Sequence, residues 1–169
     1  MVAPAMPTVR DATPDDLPAV KAIYDEQVAH GIATFDTTAP PLDHWRDRLD
    51  SPGHLLVAVE DTTVVGYAFS STFRPRAAYD RTQEVSVYLD ARARGRGLGR
   101  ALYDVLLARL RDDGIHTVLA VVALPNDASE ALHRGCGFER VGVLPEVGHK
   151  LGRWIDTALY ARVLDDGLT

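Results

Sequence analysis

Val85-Ser86-Val87-Tyr88-Leu89 followed by Arg94-Gly95-Arg96-Gly97-Leu98-Gly99-Arg100 constrains this chain more than any other segment. An alternating stretch runs into three glycines and then into a helical apolar repeat, Leu98, Leu102, Val105, Leu106 and Leu110, that ends at Gly114. The pattern is a strand, a tight turn and a helix in direct succession. Glycine accepts positive φ and lets backbone approach a ligand, while the first N–H groups of a helix have no partner inside it. Such a turn holds anions, and a diphosphate suits its geometry. Arg94, Arg96 and Arg100 add positive charge in a chain whose formal charge is -6, so the attraction is local. The turn lacks the Lys-Ser/Thr ending of a nucleotide-hydrolysing loop. It also lacks the Gly-x-Gly-x-x-Gly spacing of a dinucleotide fingerprint, because Gly99 is followed by Arg100, Ala101 and Leu102. A tight turn with solvated arginines is the plain alternative.

The surrounding pattern predicts a mixed α/β (α+β) domain. Residues 8–12 spell a short strand, and Thr13-Pro14-Asp15-Asp16 supply an N-cap, an early proline and first-turn acids. The helix they open places Leu17, Val20, Ile23, Tyr24 and Val28 on one face until Gly31. Residues 32–41 are irregular, and 43–49 form a short helix. Strands follow at 55–60 and 64–71 around Asp61 and Thr62, then at 82–90. After the helix at 97–113 comes a strand at 117–123. Asn126-Asp127-Ala128-Ser129-Glu130 then cap a helix that stops at the glycines flanking Cys136. Strands near 139–143 and 157–163 finish a single domain spanning 1–169. With 46% hydrophobic residues the chain can build a core.

Composition narrows the function classes. The net negative charge argues against gripping nucleic acid or an anionic membrane through charge. The longest apolar runs, such as Val118 to Leu124, fall far short of the roughly 20 residues of a spanning helix. The N-terminus MVAPAMPTVR has no basic or apolar secretory region, so a cytoplasmic location is expected. Cys136 is the only cysteine, which excludes an internal disulfide, and no histidine and carboxylate grouping has metal-ligand spacing. No metal is expected.

Arg94-x-x-Gly97-x-Gly99 after a Val-Tyr-Leu strand resembles the acetyl-CoA loop of the GNAT superfamily. Further stretches resemble its phosphinothricin N-acetyltransferase family along nearly the whole chain. They include Ala33-Thr34-Phe35, Arg74-Pro75-Arg76-Ala77-Ala78-Tyr79-Asp80, Thr82-Gln83-Glu84, Leu124-Pro125-Asn126-Asp127-Ala128-Ser129, Leu132-His133 and Gly148-His149-Lys150-Leu151-Gly152-Arg153-Trp154-Ile155-Asp156. The resemblance implies a GNAT fold: a central mixed sheet splayed between the strands ending near Leu89 and Ala123, with helices on both faces. It implies direct acetyl transfer from acetyl-CoA to the amine of a small anionic amino acid. Phosphinothricin is the expected acceptor, with methionine sulfone or sulfoximine as the alternative. Protein N-terminal acetylation and a non-catalytic acyl-CoA-binding module are further rivals.

The resemblance also implies roles. Strand alternation puts Glu84, Ser86 and Tyr88 on one face, and an amine must lose a proton before attacking a thioester. Glu84 is the implied general base, although a structural ion pair with Arg74 or Arg76 remains open. His133 is the implied partner in catalysis, or a structural helix histidine. Val87, Tyr88 and Leu89 would bind the pantetheine arm, and the turn residues Arg94, Gly95, Arg96, Gly97, Leu98, Gly99 and Arg100 the diphosphate. Asn126 and Ser129 either join them or cap a helix. Arg74, Arg76 and Tyr79 would face the acidic head of the substrate, with Phe35, Tyr88, Val121 and Thr157 as further walls. A homodimer packed near Trp154 is expected.

Overall fold

The protein, described here by a computed structural model over residues 7–164, is built on one seven-stranded sheet. Its strands are β1 (Thr8–Asp11), β2 (Leu55–Glu60), β3 (Thr63–Thr72), β4 (Thr82–Leu89), β5 (Thr117–Ala123), β6 (Glu139–Lys150) and β7 (Arg153–Val163). They lie in the order β1-β2-β3-β4-β5-β7-β6. Only β4 and β5 run parallel; the other neighbours are antiparallel. The helices are α1 (Leu17–His30), α2 (Leu42–Asp50), α3 (Leu98–Asp112) and α4 (Asp127–Gly135).

Strand alternation sends successive side chains into two cores. Leu56, Ala58, Ala68 and Val85 meet Leu102, Leu106 and Leu110 of α3 on one face. Leu55, Val57, Tyr67 and Phe69 meet Leu17, Val20 and Ile23 of α1 and Trp45 of α2 on the other. Helices therefore cover both faces of a mixed sheet, as a GNAT fold requires. The sheet is not continuous. The β4–β5 ladder holds only from Thr82↔Thr117 to Glu84↔Leu119, whereas β4 stays paired with β3 up to Leu89 and β5 with β7 up to Ala123. From Glu84 and Leu119 onward the two strands diverge.

The final hairpin is longer than the pattern predicts, with β6 reaching Lys150 and β7 starting at Arg153. Pro145, Glu146 and Gly148 hide the strand signal, since proline and glycine normally interrupt a ladder. The irregularity is absorbed between Leu144 and Gly148, where Glu146 has φ 49 and its N–H donates to Asp156 Oδ1 at 2.7 Å. Leu151 and Gly152, at φ 51 and 74, close a two-residue turn that needs positive φ at both positions. Short 3₁₀ turns at Ala77–Tyr79 and Ala91–Ala93 are likewise absent from the predicted pattern.

At the start of α1, Arg10 donates to both carboxylate oxygens of Asp16, at 2.7 and 2.9 Å, and Thr13 N–H donates at 2.7 Å. The Arg10 hydrogen bonds, then those from Thr13, hold the Asp16 carboxyl at about 2, below its usual 3.8. A depressed carboxyl stabilises the fold above its unfolded value, and that contribution disappears as pH falls from ~4 through ~2. Arg10 is partly exposed, so the pair is screened. Asp16→Asn should cost about 1 to 2 kcal/mol at neutral pH and flatten the loss of stability between pH ~4 and ~2. Urea denaturation across that range measures it, and an unchanged acid slope would contradict the assignment.

Candidate active site

A cleft of about 400 Å³ opens where β4 and β5 separate. Val87, Tyr88, Leu89, Arg94, Gly95, Gly97, Leu98, Gly99, Arg100, Asn126 and Ser129 line it. Gly95 and Gly97 have φ of 72 and 80, and a Cβ on either would meet no protein atom within 4 Å. The turn thus presents bare backbone to open space at the N-terminus of α3. Gly99 does a different job. A Cβ there would stand 2.9 Å from Leu132 Cδ2, so its absence lets α3 and α4 approach. Of the residues expected along this turn, Arg96 does not line the cleft: its guanidinium donates to Glu60 at 3.1 Å. Asn126 caps α4, its side chain accepting from Ser129 N–H at 3.1 Å, while both residues border the cleft. Capping and cleft-lining coexist.

A smaller cavity of about 50 Å³ lies in the gap itself, bordered by Ser86, Val87, Val121, Val122, Tyr103 and His133. His133 is buried, with Nδ1 2.7 Å from the Ser129 carbonyl and Nε2 3.0 Å from the Tyr103 hydroxyl. A carbonyl only accepts, so Nδ1 carries the hydrogen, Nε2 is free to accept, and Tyr103 donates to it. Burial lowers the His133 pKa and raises that of Tyr103, which keeps the pair neutral. Tyr103 was not anticipated as a site residue. Within the apolar stripe of α3 it reads as core, and only the direction of His133 reveals its hydroxyl.

Glu84 sits on β4 at the point of divergence, paired with Ser71 on one side and Leu119 on the other. Burial raises its pKa, and among the described residues its carboxylate has no hydrogen-bond or ion-pair partner. It borders neither cavity. Arg74 does not pair with it but lies over the rings of Phe73 and Tyr79, at 4.8 and 5.8 Å. Arg76 is exposed. Arg74, Arg76 and Tyr79 belong to the connection between β3 and β4, beyond the Glu84 end of the ladder.

The loop after α1 forms the opposite wall. Tyr24 and Thr34 hydroxyls lie 2.6 Å apart, Tyr88 donates to the Ala33 carbonyl at 3.2 Å, and Lys150 Nζ donates to the carbonyls of Thr34 and Gln27 at 2.8 and 2.9 Å. Lys150 is buried, another role the sequence did not suggest, because a lysine among glycines reads as solvated. Phe35 rests on Gly148, where a Cβ would come within 2.2 Å of its ring. Val121 is exposed at the small cavity, whereas Thr157 is buried in the ladder between Ala123 and Leu144 and borders neither cavity. Among the described residues no group of three or more His, Cys, Asp or Glu side chains could hold a metal ion, and no helix is long and apolar enough to cross a membrane.

Residues 20–138 match the acetyltransferase (GNAT) family profile. The chain is 44% identical to a phosphinothricin N-acetyltransferase of Alcaligenes faecalis, over 96% of this chain and 85% of that one. It is 37% identical to an L-methionine sulfoximine/L-methionine sulfone acetyltransferase of Pseudomonas paraeruginosa, over 94% and 95%. Among solved structures, a phosphinothricin acetyltransferase from Sinorhizobium meliloti in complex with AcCoA superposes with a TM-score of 0.90 at 38% identity, covering 96% of this chain and 90% of that one.

Proposed function

Because the chain belongs to the acetyltransferase (GNAT) family, we propose that it acetylates the free amine of a small anionic amino acid, phosphinothricin or a close analogue, from acetyl-CoA in a ternary complex. The observation that carries this proposal is the divergence of β4 and β5, which leaves a bare-backbone cleft on one side and an unpaired, half-buried carboxylate at its origin. The fold described over residues 7–164 supports reading them as a single catalytic domain. A cytoplasmic setting, where acetyl-CoA is available, belongs to the same proposal.

The AcCoA-bound neighbour supports assigning the 400 Å³ cleft to the cosubstrate. Gly95 and Gly97 leave room for a diphosphate, the free N–H groups at the start of α3 donate to it, and Arg94 and Arg100 add charge. Val87 to Leu89 have no β5 partner, so their backbone can receive the pantetheine arm as an added strand. Bound acetyl-CoA supplies the thioester carbonyl. Glu84 takes the proton of the acceptor amine, directly or through one water, and the pKa that burial raises makes it a stronger base than an exposed carboxylate. Tyr103 borders the gap, and its hydroxyl can protonate the departing sulfur by turning its one hydrogen from His133 Nε2 to the thiolate. Arg74, Arg76 and Tyr79 receive the acidic head of the substrate, where charge-assisted hydrogen bonds favour a phosphinate over a neutral sulfone. The methionine sulfoximine/sulfone relative, nearly as close in sequence, keeps that second acceptor class in the test.

Glu84→Gln should preserve acetyl-CoA affinity while lowering kcat by about 10²-fold or more. Wild-type kcat should fall as pH drops through the raised Glu84 pKa, since the protonated carboxyl accepts nothing; the residual rate of the variant should climb with pH. Thiol release with phosphinothricin and methionine sulfone measures both. An unchanged neutral rate would remove Glu84 from catalysis, and no transfer to either amine would refute the substrate class.

A homodimer is also proposed. β6 is an edge strand that exposes Val141, Val143, Leu144 and Val147, and Trp154 across the hairpin is 63% exposed. An apolar edge of this kind is normally covered. Light scattering at micromolar concentration should report a dimer that Val147→Asp dissociates, and a monomeric wild type would contradict it.

A further inference from the structure

Arg48, near the C-terminal end of α2, takes no part in anything assigned above. Its guanidinium carbon stands 4.0 Å from the centre of the Phe69 ring. That ring belongs to a nearly parallel layer with Tyr67, at 6.3 Å and 14°, and Tyr88, at 6.4 Å and 10°. Tyr24, Tyr67 and Tyr88 are close enough to act on its charge. Among the described residues the half-buried guanidinium has no carboxylate partner. Its Nε is enclosed without an acceptor, and so are two neighbouring donors, the Tyr67 hydroxyl and Trp45 Nε1. Tyr67 and Trp45 are themselves buried, with rings 5.5 Å apart.

Unpaired charge withdrawn from water is costly, and stacking on Phe69 offsets only part of that cost. A guanidinium with further enclosed donors beside it calls for an anion. Asp25 is the internal candidate: its Oδ2 accepts from Lys21 at 2.5 Å, and its Oδ1 is enclosed without a partner.

Sheet register places Arg48 relative to the proposed base. Phe69 pairs with Ser86 and Ser71 with Glu84, and directly paired residues share a face. The guanidinium, over the Phe69 ring, therefore stands on the Glu84 face, and Phe69 lies about 7 Å along the strand from the Ser71–Glu84 pair at ~3.4 Å per residue. The Arg74 to Tyr79 connection leaves the sheet beyond Glu84 in the opposite direction. Positive charge thus flanks the carboxylate on both sides along the sheet.

We propose that Arg48 receives the α-carboxylate of the acceptor, so that the substrate amine is held over Glu84 between two cationic ends. The inference rests on the acetyl transfer proposed above and deepens it: the enzyme would require an anionic carboxylate next to the amine as well as an acidic head. Arg48 is then a specificity-determining contact, and its charge, not merely its packing, is what the acceptor reads.

The test compares phosphinothricin with its α-carboxamide on wild type, Arg48→Met, Arg48→Lys and Asp25→Asn. Steady-state kinetics are combined with calorimetry in the absence of acetyl-CoA. Wild type should prefer the acid. Arg48→Met should raise KM and calorimetric Kd for the acid by about tenfold or more, leave the amide and the KM for acetyl-CoA near wild type, and change kcat little. Arg48→Lys should recover part of the preference. Wild type using acid and amide alike, equal losses on both in Arg48→Met, or Asp25→Asn reproducing the Arg48→Met pattern would each overturn the inference. Should Arg48→Met fail to fold by circular dichroism, the Arg48→Lys preference and the Asp25→Asn control decide it. If wild type acetylates neither compound, the proposed function fails, and calorimetric discrimination between acid and amide still tests Arg48 by itself.

Discussion

The β4–β5 ladder ends after three residue pairs, at Glu84 and Leu119, and the rest of the molecule is organised around that ending. Two parallel strands that stayed paired would bury their backbone groups in each other. Because they part, residues 85–89 of β4 offer an unused hydrogen-bonding edge, the helix N-terminus beyond the glycine turn faces open space, and a carboxylate is left half-buried without a counter-charge. Such an arrangement is expensive in a closed core, where unpaired polar groups are penalised. It is understandable where ligands complete the pairing.

The two faces of the sheet divide the labour. On the α3 side the packing is apolar, and helix, turn and strand converge on the bare-backbone cleft. On the α1 and α2 side the core is aromatic and carries hydroxyls, a stacked guanidinium and a loop tied down by Tyr24, Tyr88 and Lys150. The loop after α1 is held by contacts from three distant segments, so its shape depends on the tip of the β6–β7 hairpin as much as on the loop itself.

Much of this was legible in the sequence, for identifiable reasons. The glycine turn and α3 follow from local patterning, as do both cores, because periodicity reports faces directly. The β6–β7 extension was hidden by Pro145 and Gly148, whose local preference is overridden by pairing with β7. Tyr103, Lys150 and Arg48 share another obscurity: each reads as an ordinary core or surface residue, and its contacts come from what lies across the fold. Arg96 is a separate case. Its neighbours line the cleft, but Glu60, thirty-six residues earlier in the chain, captures its side chain.

The central claim is that the turn at Gly95 to Arg100 holds the diphosphate of acetyl-CoA against bare backbone. Calorimetric titration of acetyl-CoA into wild type and Gly97→Val tests it most directly. A side chain at φ 80 strains the turn and projects into the open space in front of it. Wild type should bind saturably, and the variant, still folded by circular dichroism, should lose about 10²-fold or more in affinity. Equal affinity in the two proteins would contradict it.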